Sequence, residues 1–174
     1  MNIHFTNVRS NRMIGGRSRQ ARERRKRNGK KLDAATCCFT GHRIIPAAVL
    51  PGLKEELEQA VREMVDRGVS RFLCGGARGF DTLAAQTVLQ LKREYPTLEL
   101  FLVLPCRDQA RGWSSEEAIQ YEAVRRRADR VVYMENAYTE GCMHKRNRAL
   151  VDNSRYCIYY MVQRMGGTAY TVDY

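Results

Sequence analysis

The residues best suited to bind a ligand form two glycine-rich turns and one basic helix start. Gly75, Gly76 and Gly79 fall within five positions, and glycines lack the side chains that keep a ligand away from backbone N–H groups. A helix that begins just after such a turn adds unpaired N–H groups and partial positive charge. This combination is typical of a phosphate-binding turn. The alternative is a tight strand-to-helix connection whose glycines only permit positive φ.

Glycines and polar or charged residues in several turns and helix starts are candidates for ligand binding. The candidate ligand-binding residues are Gly41, His42, Arg43, Gly75, Gly76, Arg78, Gly79, Asp81, Lys145, Arg146, Asn147, Gly166, Gly167 and Thr168. Arginine and lysine form charge-assisted hydrogen bonds with phosphate oxygens, so we expect an anionic ligand with phosphate. Asp81 would repel a phosphate and is expected to cap a helix or to contact a ribose hydroxyl. His42 is explained equally well by a structural hydrogen bond and by a catalytic role.

Neither glycine turn matches the common nucleotide-binding fingerprints. The P-loop pattern G-x-x-x-x-G-K-[ST] is absent, and the spacing of Gly75, Gly76 and Gly79 differs from the G-x-G-x-x-G of dinucleotide-binding folds. These differences argue against a P-loop ATPase and against an ordinary hydride-transfer enzyme.

Five apolar runs alternate with helical patterns from residue 35 onward. The runs cover residues 35–40, 71–74, 98–104, 130–134 and 156–161. The helical patterns begin near Leu53, Thr82, Ser114, Cys142 and Gly166. This alternation predicts an α/β fold with a mainly parallel sheet of about five strands. Because the carboxyl ends of parallel strands meet at one edge, the candidate residues should gather there.

The positive charge of the chain is concentrated near its start. The net charge is +11, and residues 1–31 contain eleven Lys or Arg against Glu23 alone. Without apolar periodicity this segment cannot offset its ordering entropy. Residues 1–32 are therefore predicted to form a disordered basic arm before a domain over residues 33–174. The arm either binds nucleic acid electrostatically or extends into solvent.

Cysteine spacing and hydropathy indicate a reducing compartment. The six cysteines include no C-x-x-C pair, and five of them fall in apolar strand-like runs, which is typical of reduced thiols. Cys142 and His144 form an isolated C-x-H pair, so no metal site is predicted. No apolar signal segment and no run of about 18 apolar residues is present. We expect a cytoplasmic protein without a membrane partner, and oligomer formation is left open.

Five motifs, in order, carry a resemblance to a known family. They are Cys37–Arg43, Gly75–Ala85, Leu104–Gln109, Gly141–Arg148 and Gly166–Thr171. Together they strongly resemble the YpsA-like branch of the SLOG superfamily. The resemblance implies a Rossmann-like three-layer sandwich that binds a nucleotide or nucleotide-derived ligand, as a sensor or regulator, with no required cofactor.

Two relatives within that superfamily imply different functions. Ala77–Asp81 is similar to a turn in DprA, which implies nucleic-acid binding with added affinity from residues 1–31. Met143–Asn147 and Gly166–Asp173 resemble motifs of the LOG phosphoribohydrolases, which cleave nucleoside monophosphates to base and ribose 5-phosphate. That resemblance would make Arg146 and Asp173 catalytic in an N-glycosidic hydrolase. The chain departs from the LOG pattern at Asn147, Ala169, Tyr170 and Asp173, and a displaced carboxylate would slow hydrolysis. Whether this chain is an enzyme is left open.

The second glycine turn, at Gly166 and Gly167, leads into a helical pattern that ends at Tyr174. We expect a domain that lacks most of its last helix. Such a domain would cover part of its sheet poorly and would be less stable.

Overall fold

Strands and helices alternate along the chain. This computed structural model describes residues 3–7, 35–162 and 166–174. The strands are β1 (Ile3–Asn7), β2 (Thr36–Gly41), β3 (Arg71–Cys74), β4 (Glu99–Leu104), β5 (Arg130–Tyr133) and β6 (Tyr156–Tyr160). The helices are α1 (Leu50–Asp66), α2 (Phe80–Leu91), α3 (Ser115–Arg127), α4 (Cys142–Asp152) and α5 (Gly166–Asp173), with a short 3₁₀ turn at Ala47–Val49. All five predicted strands are present, and their bounds are within one residue of the expected ones.

The six strands form one sheet in the order β1-β6-β2-β3-β4-β5. The five strands from β6 to β5 are parallel, and β1 pairs antiparallel with β6 at the edge. The predicted α/β class, a Rossmann-like sandwich with a mainly parallel sheet, is confirmed. The sheet has one strand more than the expected five.

The additional strand lies in the segment that was predicted to be disordered. Ile3–Asn7 pairs with Tyr156–Tyr160, so the expectation of disorder does not hold for these five residues. The first eight residues carry none of the charged side chains that dominate the arm, and the edge of β6 offers them backbone hydrogen-bond partners. Residues 8–34, which include all eleven basic residues of the predicted arm, lie outside the described residues.

Different helices cover the two faces of the sheet. α1, α2 and α3 pack on one face, where Phe39 and Phe72 belong to the larger core cluster. α4 and α5 contact each other and β2, and a smaller cluster on that opposite face contains Cys38, Leu73 and Leu150. Successive residues of a strand point to opposite faces, so the adjacent Cys38 and Phe39 pack in different cores.

The direction of the chain connections changes at β2. From β2 the chain passes through β3 and β4 to β5, and it then returns through α4 to β6 on the other side of β2. Helices on opposite faces diverge at such a point and leave a crevice at the carboxyl ends of the strands. The loops after β2 and β3 and the starts of α4 and α5 therefore surround one candidate site.

We expect Gly41→Ala to weaken the packing between β2 and α2. A Cβ on Gly41 would lie 2.5 Å from Phe80 Cγ, and Phe80 is fully buried. Overpacking of this kind lowers the free energy of unfolding by about 1–3 kcal/mol. Gly167→Ala is the control, because its Cβ would meet only Asn147 Nδ2, at 3.8 Å. Urea titrations measure both variants, and equal stabilities would contradict the packing argument.

Candidate functional site

A cleft of about 800 Å³ opens at the carboxyl ends of β2 and β6. It lies between the loop after β2, the first turn of α2, one face of α4 and the start of α5. A volume of this size falls in the range of sites for small molecules.

An ion pair between Arg146 and Asp81 lies in the wall of the cleft. Nη1 of Arg146 is 3.6 Å from Oδ2 of Asp81, and both side chains are 7% exposed. Oδ2 of Asp81 also accepts a hydrogen bond of 3.2 Å from Ala77 N. Since Arg146 belongs to α4 and Asp81 to α2, the pair joins helices from opposite faces of the sheet.

Gly75 leaves the space in which Arg146 lies. A Cβ on Gly75 would be 2.5 Å from Cζ of Arg146 and 2.8 Å from Oδ2 of Asp81. The φ angles of Gly76 and Gly79 are positive, at 63° and 77°, whereas that of Gly75 is not. The turn therefore combines two properties: two of its glycines permit a tight connection, and the third admits a buried guanidinium group.

Backbone contacts fix the loop after β2 against α2 and β6. Phe80 N donates to His42 O at 3.1 Å, and His42 N donates to Tyr160 O at 3.3 Å. Gly79 approaches Arg43 so closely that a Cβ would lie 2.5 Å from the Arg43 carbonyl carbon. These contacts hold the exposed Arg43 at the mouth of the cleft.

Residues with hydrogen-bond donors that lack partners belong to the lining of the cleft. Among the described residues, the buried Nε and Nη1 atoms of Arg146 have no hydrogen-bond partner. α5 begins at the cleft, where Gly166, Gly167 and Thr168 are part of the lining. The first N–H groups of a helix have no partner within it. Buried donors without partners are rare, and this set is suited to the oxygens of an anion.

Burial shifts the titration of the ion pair. Burial raises the pKa of Asp81 above its ordinary value of 3.8, and the Arg146 charge and the Ala77 amide oppose that shift. Burial also lowers the pKa of Arg146, and the Asp81 carboxylate opposes it. Because the ordinary pKa of arginine lies far above neutral pH, Arg146 keeps its positive charge there.

The structure brings some of the predicted site residues together and separates others. The cleft is lined by nine of them, namely Gly41, His42, Arg43, Asp81, Arg146, Asn147, Gly166, Gly167 and Thr168. Arg78 lies outside this lining, with Nη1 3.3 Å from Glu117. Lys145 pairs with Glu135, and Asp173 is exposed at the end of α5. Catalytic roles for Arg146 and Asp173 stay predictions, and the structure does not bring Asp173 to the cleft.

The sequence predicts that Asp81 caps a helix or contacts a ribose hydroxyl, but Asp81 does not cap α2. The N-cap position is Gly79, and no side chain caps the helix there. The carboxylate instead accepts a bond from Ala77 N and faces Arg146. A cap is a local interaction, and this carboxylate is held by a side chain from a distant part of the chain.

Sequence reasoning missed the apolar part of the cleft. Ile44, Pro46 and Val162 line it, and Ile44 is 83% exposed. These residues lie in loops and follow no helical or strand periodicity. The sequence signal that could have identified them is their position shortly after the ends of β2 and β6.

Three further observations concern the described residues. All six cysteines are unpaired and buried. In the parts of the chain that the structure describes, no group of three His, Cys, Asp or Glu is placed to hold a metal ion. Over the same residues, no helix has the length and apolar character needed to cross a membrane.

The fold and the cleft define a Rossmann-like α/β domain with a site at the carboxyl edge of its sheet. A family model described as the YspA SLOG family, YpsA, matches residues 47–173. The chain therefore belongs to the YpsA family of SLOG proteins, and the resemblance drawn from its motifs is confirmed.

Three similar curated proteins come from bacteria. An uncharacterized SPbeta prophage-derived protein, YoqJ of Bacillus subtilis (strain 168), is 24% identical over 135 residues, which cover 70% of this chain and 79% of YoqJ. The UPF0398 protein YpsA of the same organism is 30% identical over 77 residues, which cover 44% of this chain and 43% of YpsA. The UPF0398 protein BH1768 of Halalkalibacterium halodurans is 27% identical over 124 residues, which cover 70% of this chain and 66% of BH1768. The matched segment thus spans most of YoqJ but less than half of YpsA.

The raised pKa of Asp81 predicts a specific pH dependence of stability. The folded state binds the Asp81 proton more tightly than the unfolded state does, so the contribution of Asp81 to the free energy of unfolding falls as pH rises. The fall begins near its ordinary pKa of 3.8 and is complete above its raised folded value. The stability of the wild-type protein relative to Asp81→Asn should therefore decrease from acid to neutral pH in urea titrations.

Asp129→Asn is the control with the opposite sign. Burial acts to raise the pKa of Asp129, but hydrogen bonds from Lys92 and Leu100 N lower it below its ordinary value. The stability of the wild-type protein relative to Asp129→Asn should thus increase with pH. Trends of the same sign for the two variants would contradict the assigned role of burial at Asp81.

Proposed function

We propose that the cleft binds a nucleotide or nucleotide-derived ligand whose phosphate is held by Arg146 and by the N–H groups at the start of α5. The observation that carries this proposal is the buried Arg146, which belongs to the lining of the cleft and has two guanidinium nitrogens without hydrogen-bond partners among the described residues. Membership of the SLOG family points in the same direction, toward a nucleotide-related role.

The charges around the cleft favour an anion. Asp81 is the single carboxylate in its described lining, and Arg146 already offsets that charge. Arg43 adds a positive charge at the mouth, and the start of α5 adds partial positive charge. A phosphate would balance this excess and would accept hydrogen bonds from donors that otherwise stay unpaired.

The apolar side of the cleft suits the rest of a nucleotide. Ile44 and Val162 are 83% and 57% exposed and line the cleft with Pro46. A base packed on these side chains would gain roughly 25 cal/mol for each Å² of apolar surface that it removes from water. The cleft thus offers an apolar surface for the base and a polar surface for the phosphate.

The two alternative functions have less support. LOG-like hydrolysis would need a carboxylate near the glycosidic bond, and Asp173 lies at the far end of α5 from the cleft. DprA-like nucleic-acid binding would draw on basic residues that lie outside the described part of the chain. We therefore propose a cytoplasmic binding protein, a sensor or regulator, that holds its nucleotide-type ligand without turning it over.

Calorimetric titration with AMP tests this proposal. We expect Arg146→Ala to weaken AMP binding by at least about tenfold, because hydrogen bonds to charged groups contribute about 1.5–3 kcal/mol. Arg126→Ala is the matched control, since it removes the same charge from a side chain that is 75% exposed on α3. AMP binding that Arg146→Ala leaves unchanged would contradict the proposal.

A second variant guards against simple unfolding. Arg146→Ala leaves the buried Asp81 unpaired, which is strongly destabilising. The double variant Asp81→Asn with Arg146→Met removes both charges, and a thermal melt checks that it is folded. We expect small molecules that copurify with the wild-type protein, identified by mass spectrometry, to include a nucleotide that this variant lacks. Equal recovery from both proteins would count against Arg146 as the phosphate ligand.

A further inference from the structure

A small chamber adjoins the cleft beside the 75–79 turn. Its volume is about 90 Å³, and its lining includes Arg43, Arg78, Gln109, Trp113 and Arg146. Arg43 and Arg146 also line the cleft, so the two spaces meet at these side chains. Arg78 does not line the cleft, but it lines this chamber and so belongs to the candidate site.

Charge makes the chamber suitable for an anion. Three of its lining residues are arginines, and no carboxylate belongs to its described lining. Asp81 pairs with Arg146 at 3.6 Å, and Glu117 pairs with Arg78 at 3.3 Å. Three guanidinium groups therefore face two carboxylates, which leaves one positive charge for a ligand to balance.

Two of the residues that line the chamber are buried and carry polar atoms without hydrogen-bond partners. As whole residues, Arg146 is 5% exposed and Gln109 is 8% exposed. Nε and Nη1 of Arg146 and Oε1 of Gln109 lack partners within the described residues. Gln109 Nε2 donates to Gly76 O, which fixes the amide against the glycine turn. Unpaired buried atoms of this kind indicate a bound polar group.

The size of the chamber limits what that group is. One water molecule needs roughly 10–15 Å³ of cavity volume measured in this way. A chamber of about 90 Å³ therefore has room for a phosphate group. Its donors are arginines, which are suited to phosphate oxygens.

We propose that the chamber is a second phosphate subsite, so that the ligand is a nucleoside diphosphate or another nucleotide with two adjacent phosphates. This inference rests on the proposed function for the first phosphate, which lies in the cleft near the start of α5. Arg146, which lines both spaces, donates to oxygens of both phosphates. Arg78 holds the second phosphate, and Gln109 Oε1 accepts from a water or hydroxyl that accompanies it.

Trp113 makes occupation of the chamber observable. It is the one tryptophan of the chain, and it lines the chamber but not the cleft. Its ring packs edge-on against Tyr121, with centroids 5.4 Å apart. A group bound in the chamber should change the tryptophan emission, whereas a ligand confined to the cleft should not.

Parallel titrations with ADP and AMP test the second subsite. In the wild-type protein we expect ADP to bind at least about tenfold more tightly than AMP and to give the larger change in tryptophan emission. In Arg78→Ala the preference for ADP should fall below about threefold. Arg111→Ala is the matched control, because this exposed arginine lies close to Trp113 in sequence and lines neither space. Gln109→Leu provides a second variant that should also reduce the preference.

The outcomes separate the two proposals. Equal affinities for ADP and AMP in the wild-type protein, or an ADP preference that survives in Arg78→Ala, would overturn the second subsite and leave the first in place. If neither nucleotide binds, the proposed function fails, and pyrophosphate then tests the chamber alone. A change in emission on adding pyrophosphate that Arg78→Ala abolishes would support the subsite, and no change would overturn it.

Discussion

The candidate site depends on the buried pair formed by Arg146 and Asp81. The two residues come from α4 and α2, which cover opposite faces of the sheet, and their side chains meet where those helices diverge. Removing two charges from water is costly, and attraction within the pair compensates only when the remaining hydrogen bonds are also made. Here the pair is 3.6 Å apart, and Nε and Nη1 of the guanidinium have no hydrogen-bond partner among the described residues. The anion proposed for the cleft would complete this arrangement and would couple ligand binding to local stability.

The glycines of the site follow from that constraint. Gly75 has no space for a side chain because the guanidinium of Arg146 lies against it. Gly79 is held against the Arg43 backbone, and Gly41 against the Phe80 ring. Close approach, more than contact with a ligand, is what these positions require. The glycine-rich turn therefore contributes to the candidate site mainly through the charged side chain that it admits.

The sequence was sufficient for the fold because the relevant signals are local. Apolar runs and helical spacing placed all five parallel strands, and parallel topology then brought the loops of the site to one edge. β1 was missed because a short uncharged segment was judged by the composition of the basic residues that follow it. The sequence could not distinguish the role of Arg78 from that of Arg146, since the burial of Arg146 depends on how α4 packs across the sheet. The same long-range contact, and no local rule, decides that Asp81 is a partner of Arg146 and not a helix cap.

The arrangement around Arg146 is the physical reason for proposing binding without turnover. Arginine and N–H donors that hold a phosphate interact equally with a bound nucleotide before and during cleavage of its glycosidic bond, and such uniform binding does not accelerate the bond-breaking step. Acceleration requires a group that stabilises charge developing at the sugar, or that positions water there. Asp81 is the one carboxylate in the described lining, and its Oδ2 atom pairs with Arg146 and accepts the hydrogen bond from Ala77 N. Asp173, at the exposed end of α5, is too far along the helix to act at the cleft. Both observations support the proposal that the cleft holds a nucleotide intact.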